Sequence, residues 1–132
     1  MPKVDANVLL RYVLKDHPEL SSKAREIIDL NTVEIPVEVL AEVIYILTGY
    51  YEIDRQSASV ELKHFFEQTQ CILFNRGVVL QGLEYFGTTS LDFVDCILAG
   101  YAKVEKDEIY TFDNNLKKLI RGEGFIPRPF GA

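Results

Sequence analysis

Apolar positions along this chain change between two rhythms, short runs at strand-like spacing and longer stretches at helical spacing. The opening MPKV is a short strand that closes at Asp5, and ANVLLRYVL follows at once, predicting a helix through Val8–Leu14. Asp16, His17 and Pro18 read as a turn, with Pro18 able to start a new helix at its first turn. Leu20, Ala24, Ile27 and Ile28 give Glu19–Leu30 an amphipathic spacing, while Thr32–Ile35 alternates like a strand and stops before Pro36. Val37–Tyr50 is the clearest amphipathic helix. Val39, Leu40, Val43, Ile44 and Leu47 form its apolar stripe, opposite Glu38, Glu42, Tyr45 and Gly49.

The second half keeps the alternation. Asp54 is a good N-cap for a helix through about Thr69. Cys71–Phe74 is strand-like and Gly77–Phe86 helical; Thr88, Thr89 and Ser90 form a loop, with Ser90 able to cap a helix running to about Lys106. Glu108–Phe112 reads as a strand and Asp113–Arg121 as a helix ended by Gly122, Glu123 and Gly124. Gly124–Pro129 can add only an edge strand, because its two prolines cannot serve a central one. Strands alternating with helices predict an α/β fold.

Composition narrows the class. At 132 residues the chain is expected to be one domain spanning 1–132, and 48% hydrophobic residues suit a packed core. No apolar run approaches the roughly 20 residues that span a bilayer. No signal peptide is visible, and Cys71 and Cys96 both sit in apolar runs, so two buried thiols and a cytoplasmic location are expected. A net charge of −6 argues against a general nucleic-acid coat protein, but not against a nuclease whose acids hold a cation. Lys117, Lys118, Arg121 and Arg128 cluster near the C-terminus, as a solvated helix face or as phosphate contacts.

Four separated acids carry the candidate chemistry. Asp5 and Asp113 each close a strand that feeds a helix, the place where parallel α/β sheets bind ligands. Helix capping explains either of them taken singly. Asp95 interrupts the nearly all-apolar LDFVDCILAGYA, and Asp92 lies three residues earlier on the same helical face. Asp95 therefore tips the balance toward a gathered site, with a solvated acidic first turn, favoured by the helix dipole, as the alternative. The small residues Ala99, Gly100 and Ala102 would let this helix approach other backbone closely. Glu42 shares a polar helix face with Glu38, which exposure alone explains. Gathering carboxylates costs stability unless a cation neutralises them, and oxygen donors without a His/Cys cluster suit Mg²⁺ or Mn²⁺ rather than zinc. His17 and His64 stand alone.

Four blocks in order, VDANVLLRYVLKDHPE, PVEVLAEVIYIL, LDFVDCILAGYAK and IYTFDNNLKKL, resemble the signature blocks of PIN-domain proteins, and within them the VapC-type toxin ribonucleases of toxin–antitoxin pairs. The resemblance covers essentially the whole chain. It implies a three-layer α/β/α sandwich around a mainly parallel sheet of about four or five strands. It implies a catalytic quartet of Asp5, Glu42, Asp95 and Asp113, with Asp5, Asp95 and Asp113 holding Mg²⁺ or Mn²⁺. Asn7 beside Asp5 and Thr111 beside Asp113 would support them, with Asp92 as an outer acid or a simple helix-dipole partner; Arg11, Lys117 and Lys118 are candidate phosphate contacts, for which solvated charges are the more economical reading. It further implies endonucleolytic RNA hydrolysis leaving a 5′-phosphate and a 3′-hydroxyl, a cognate antitoxin, a homodimer and no membrane association. A housekeeping RNA-processing nuclease or a non-catalytic binding module of the same fold are the alternatives. D-A-N-V also resembles the start of haloacid-dehalogenase-like phosphatases, but Asn7 stands where their second acid is needed.

Overall fold

The computed structural model describes residues 1–122. Among them seven α-helices follow in order: α1 (Ala6–Leu14), α2 (Pro18–Leu30), α3 (Val37–Tyr45), α4 (Arg55–Gln68), α5 (Arg76–Thr88), α6 (Phe93–Gly100) and α7 (Asn114–Arg121). Most begin where a side chain or proline predicted it. Asp5, Asp54 and Asp113 accept first-turn N–H groups of α1, α4 and α7, and the His17 ring nitrogen does so for α2, ahead of Pro18. Gly122, at φ 68°, ends α7 in the left-handed conformation that glycine adopts without a Cβ penalty. Ser90 does not cap α6. Asp92 holds the N-cap position there, and the Ser90 hydroxyl is buried without a partner.

The predicted α/β/α sandwich around a parallel sheet is not what the described residues form. Among the described residues there is no strand, only two isolated parallel bridges, Lys3 to Glu34 and Glu34 to Ile72. Three backbone bonds hold them: Glu34 N–H to Pro2 O (2.8 Å), Ile35 N–H to Ile72 O (2.9 Å) and Ile72 N–H to Val33 O (2.8 Å). The ladder cannot lengthen because each extended stretch is cut short. Asp5 starts α1, Pro36 lacks an N–H and leads into α3, and Asn75 turns left-handed at φ 57° before α5. Glu108–Phe112 forms no bridge either, and Tyr110 and Phe112 stand 87% and 100% exposed. The proposed edge strand Gly124–Pro129 and Arg128 lie outside the described residues.

Helix packing supplies the core instead. Leu9, Ile28, Ile35, Leu40, Val43, Leu47, Leu62, Phe66, Leu83 and Leu116 are all essentially inaccessible. Burying each such side chain contributes about 1.5–3 kcal/mol. The apolar stripe expected of the third helix holds, with Leu40, Val43, Ile44 and Leu47 buried and Val39 partly so. Two predicted helices end in a wider turn. The Val37–Tyr50 helix becomes π-helical over Ile46–Tyr50, and the helix expected to reach Lys106 does so over Tyr101–Glu105. Both turns follow a helix that carries candidate acids, where π-turns are often found. Cys71 and Cys96 are free, buried thiols, and burial pushes Cys96 up to about 11.

The closest helix contact is α5 against α6, and two glycines permit it. A Cβ on Gly100 would fall 2.7 Å from the Val78 carbonyl oxygen, and one on Gly82 would fall 2.6 Å from Ile97 Cδ1 and 3.3 Å from its Cα. Backbone cannot yield as a side-chain tip can. Gly100→Ala should therefore cost about 1–3 kcal/mol of unfolding free energy. Gly49→Ala, where a Cβ meets nothing within 4 Å, should change it by less than about 0.5 kcal/mol. Urea unfolding of both variants checks the contrast, and equal costs would contradict the close approach.

Candidate metal centre

The predicted acids fall into two groups. In the first, Asp5 ends the opening segment and caps α1, its Oδ1 accepting the Val8 N–H at 3.1 Å. α1 packs on α3, which brings Glu42 opposite. Asp5, Ala6, Asn7, Leu10, Glu42 and Ile46 line one open cavity of about 260 Å³. Asp5, Asn7 and Glu42 are all exposed, so each can meet a ligand from solvent without unfolding anything.

The second group forms where α6 meets α7. Asp92 occupies the N-cap position of α6 but accepts no helix N–H, which leaves its carboxylate unspent. Asp95 lies in the first turn, half-buried. Asp113 caps α7, and both capping bonds fall on Oδ1, from Asn115 N–H (2.8 Å) and Leu116 N–H (3.0 Å). The Thr111 hydroxyl accepts the Asp113 N–H at 3.0 Å and so steadies the turn that carries the carboxylate. Burial pushes the Asp95 carboxyl up, and the neighbouring charges of Asp113 and then Asp92 push it further. Like charges are thus held together at a cost.

Among the described residues no three His, Cys, Asp or Glu side chains converge into a preformed metal cluster. α3 does touch α6, so the two acidic groups are carried by packed elements. The donors fit a hard divalent ion in chemistry: they are carboxylate oxygens, Asp5 and Asp113 each keep one oxygen clear of capping, and Asp95 sits in a field that a cation would relieve.

The candidate phosphate contacts differ in availability. Arg11 is engaged by Asp16 (2.6 Å) and by the Tyr51 hydroxyl (3.1 Å), with its side chain mostly covered. Lys117 is half-buried and lines a cavity of about 510 Å³ with Ile109, Tyr110, Thr111, Phe112, Ile120 and Arg121. Lys118 is exposed.

Sequence reasoning missed Arg55, which was passed over as the first residue after a cap. Its Nε–H bonds the carbonyls of Phe86 (3.1 Å) and Thr89 (2.8 Å), and a terminal nitrogen bonds that of Leu91. The guanidinium carbon lies 3.7 Å from the centre of the Phe86 ring. One signal was available: a cation in a helix first turn opposes the helix dipole and needs compensation elsewhere.

A family model for the PIN domain matches residues 4–121, a span that holds all four acids of the quartet. Neither curated proteins nor solved structures give a match.

Asp95 sets a pH dependence whose sign is defined. A carboxyl raised by folding contributes stability below its unfolded pKa and loses it as pH rises through the folded value. Asp95→Asn cannot ionise and keeps that stability. In a chelating buffer the variant should melt above the parent chain at about pH 7, and the two should converge by about pH 3. Thermal denaturation across that range is the check; identical curves would remove the repulsion.

Proposed function

The chain belongs to the PIN-domain family, and from that premise we propose that it is a Mg²⁺- or Mn²⁺-dependent endoribonuclease, the toxin of a VapBC-type pair. Membership of the family supports a nuclease-type hydrolase acting on nucleic acid. The observation that supports metal dependence is the crowding of Asp95 by Asp113 and Asp92, a charge arrangement that a divalent ion would relieve.

In this reading Asp5, Asp95 and Asp113 hold the ion, and Glu42 faces it from α3. The bound ion would polarise the scissile phosphate, acidify the attacking water and offset charge on the leaving oxygen. The chain's own groups do the rest. Thr111 and the capping N–H groups fix the Asp113 carboxylate in one orientation. Asn7 offers an exposed amide beside Asp5. Lys117 and Lys118 would contact the phosphate in this reading, whereas Arg11 is tied to Asp16 and Tyr51.

Among the described residues no helix is long and apolar enough to cross a membrane. A cytoplasmic toxin with an antitoxin segment laid over the acidic cleft, and a second copy forming a homodimer, complete the proposal. The exposed side chains Tyr45, Val94 and Phe112, each within three residues of a quartet acid, are compatible with such a cover.

The test is RNA cleavage. The chain should cut single-stranded RNA with Mg²⁺ or Mn²⁺ and stop in excess chelator. Asp5→Asn, Glu42→Gln, Asp95→Asn and Asp113→Asn should each lower kcat by roughly 100-fold or more, the scale of losing a group that acts in the transition state. Undiminished cleavage by Asp95→Asn would sink the assignment.

A further inference from the structure

Arg55 stands in the first turn of α4, at the positive end of that helix, and is half-buried. Both conditions disfavour a cation. No carboxylate forms an ion pair with it among the described residues. Its compensation comes from three carbonyls. Phe86 lies in the last turn of α5 and Thr89 is the C-cap, where carbonyls lack helical partners and the dipole is negative. The third belongs to Leu91, the residue immediately before Asp92.

That last bond joins a second network. The Leu91 carbonyl also accepts the Cys96 thiol at 3.5 Å, and the Leu91 N–H donates to the Thr89 hydroxyl at 3.2 Å, which in turn donates to the Tyr85 carbonyl at 2.8 Å. The turn from α5 to α6 is therefore held at both ends. Arg55 is its one charged member, and Asp92 is the carboxylate whose charge acts on it. The same turn leads directly into the N-cap Asp92 and the first-turn Asp95 of α6.

We propose that Arg55 is a positioning residue for the α6 acids: it clamps the end of α5 to the residue preceding Asp92 and so sets the placement of Asp92 and Asp95 for a divalent ion. This rests on the proposed metal-dependent nuclease reading. Arginine suits the task because its planar fork reaches several acceptors at once while stacking on Phe86; lysine keeps the charge but not the fork.

The test compares the parent chain with Arg55→Gln and Arg55→Lys. The metal-free proteins are titrated with Mn²⁺ by thermal shift, and RNA cleavage is then measured at saturating Mn²⁺. Removing an outer partner of a ligand typically costs 10–100-fold in metal affinity or activity. Half-saturating Mn²⁺ should accordingly rise about tenfold or more in Arg55→Gln and less in Arg55→Lys. The loss in cleavage should fall on kcat rather than on KM for RNA. A purely structural clamp would lower Tm while leaving half-saturating Mn²⁺ unmoved in the folded protein, and that result overturns the proposal. Arg55→Lys decides the matter if Arg55→Gln does not fold. A parent chain that neither binds Mn²⁺ nor cleaves RNA would bring down the nuclease reading and this proposal together. Binding and cleavage that Arg55→Lys and Arg55→Gln leave unchanged would bring down Arg55 alone.

Discussion

The contact of α6 with α5 is the constraint from which the acidic side of this protein follows. Gly82 and Gly100 remove the two Cβ atoms that would hold the helices apart, and the backbone of one comes within van der Waals reach of the other. Asp95 lies in the first turn of that helix, half-buried, where the charges of Asp113 and Asp92 act on it. Arg55 and the Thr89–Leu91–Cys96 hydrogen bonds then fix the turn entering that helix.

Two groups of acids result, and they are supported differently. Asp5 and Asp113 are each anchored through one oxygen by helix N–H groups, an arrangement that orients the other oxygen. Asp92 and Asp95 have no such bonds within α6. Anchored and unanchored acids both lie on packed elements, and the charge crowding at Asp95 is what a cation would relieve.

Local chemistry was legible in the sequence wherever one residue decides an element. Caps at Asp5, Asp54 and Asp113, Pro18 at a helix start and Gly122 at a helix end all act as their residue types predict. The small residues of the sixth helix likewise foretold a close approach. The sheet was misread because alternation over three or four residues says nothing about partners. Val4, Val33, Ile35, Cys71 and Leu73 are buried as strand residues would be, yet the adjoining helices leave room for only single bridges. Glu108–Phe112 has the composition of a strand, and pairing is a property of its neighbours rather than of itself. Arg55 was hidden for a similar reason: its acceptors lie 31–36 residues away. The grouping of the quartet, too, depends on contacts between α1 and α3 and between α6 and α7, which no spacing along the chain encodes.

Whether the two acidic groups share one ion is decided by Mn²⁺-induced broadening of backbone amide resonances in the metal-free protein. A shared ion requires amides near Asp5, Glu42, Asp95 and Asp113 to broaden together at the same Mn²⁺ concentration. Broadening confined to one group, or arising at the two groups at separate concentrations, would contradict a single cation-binding cleft.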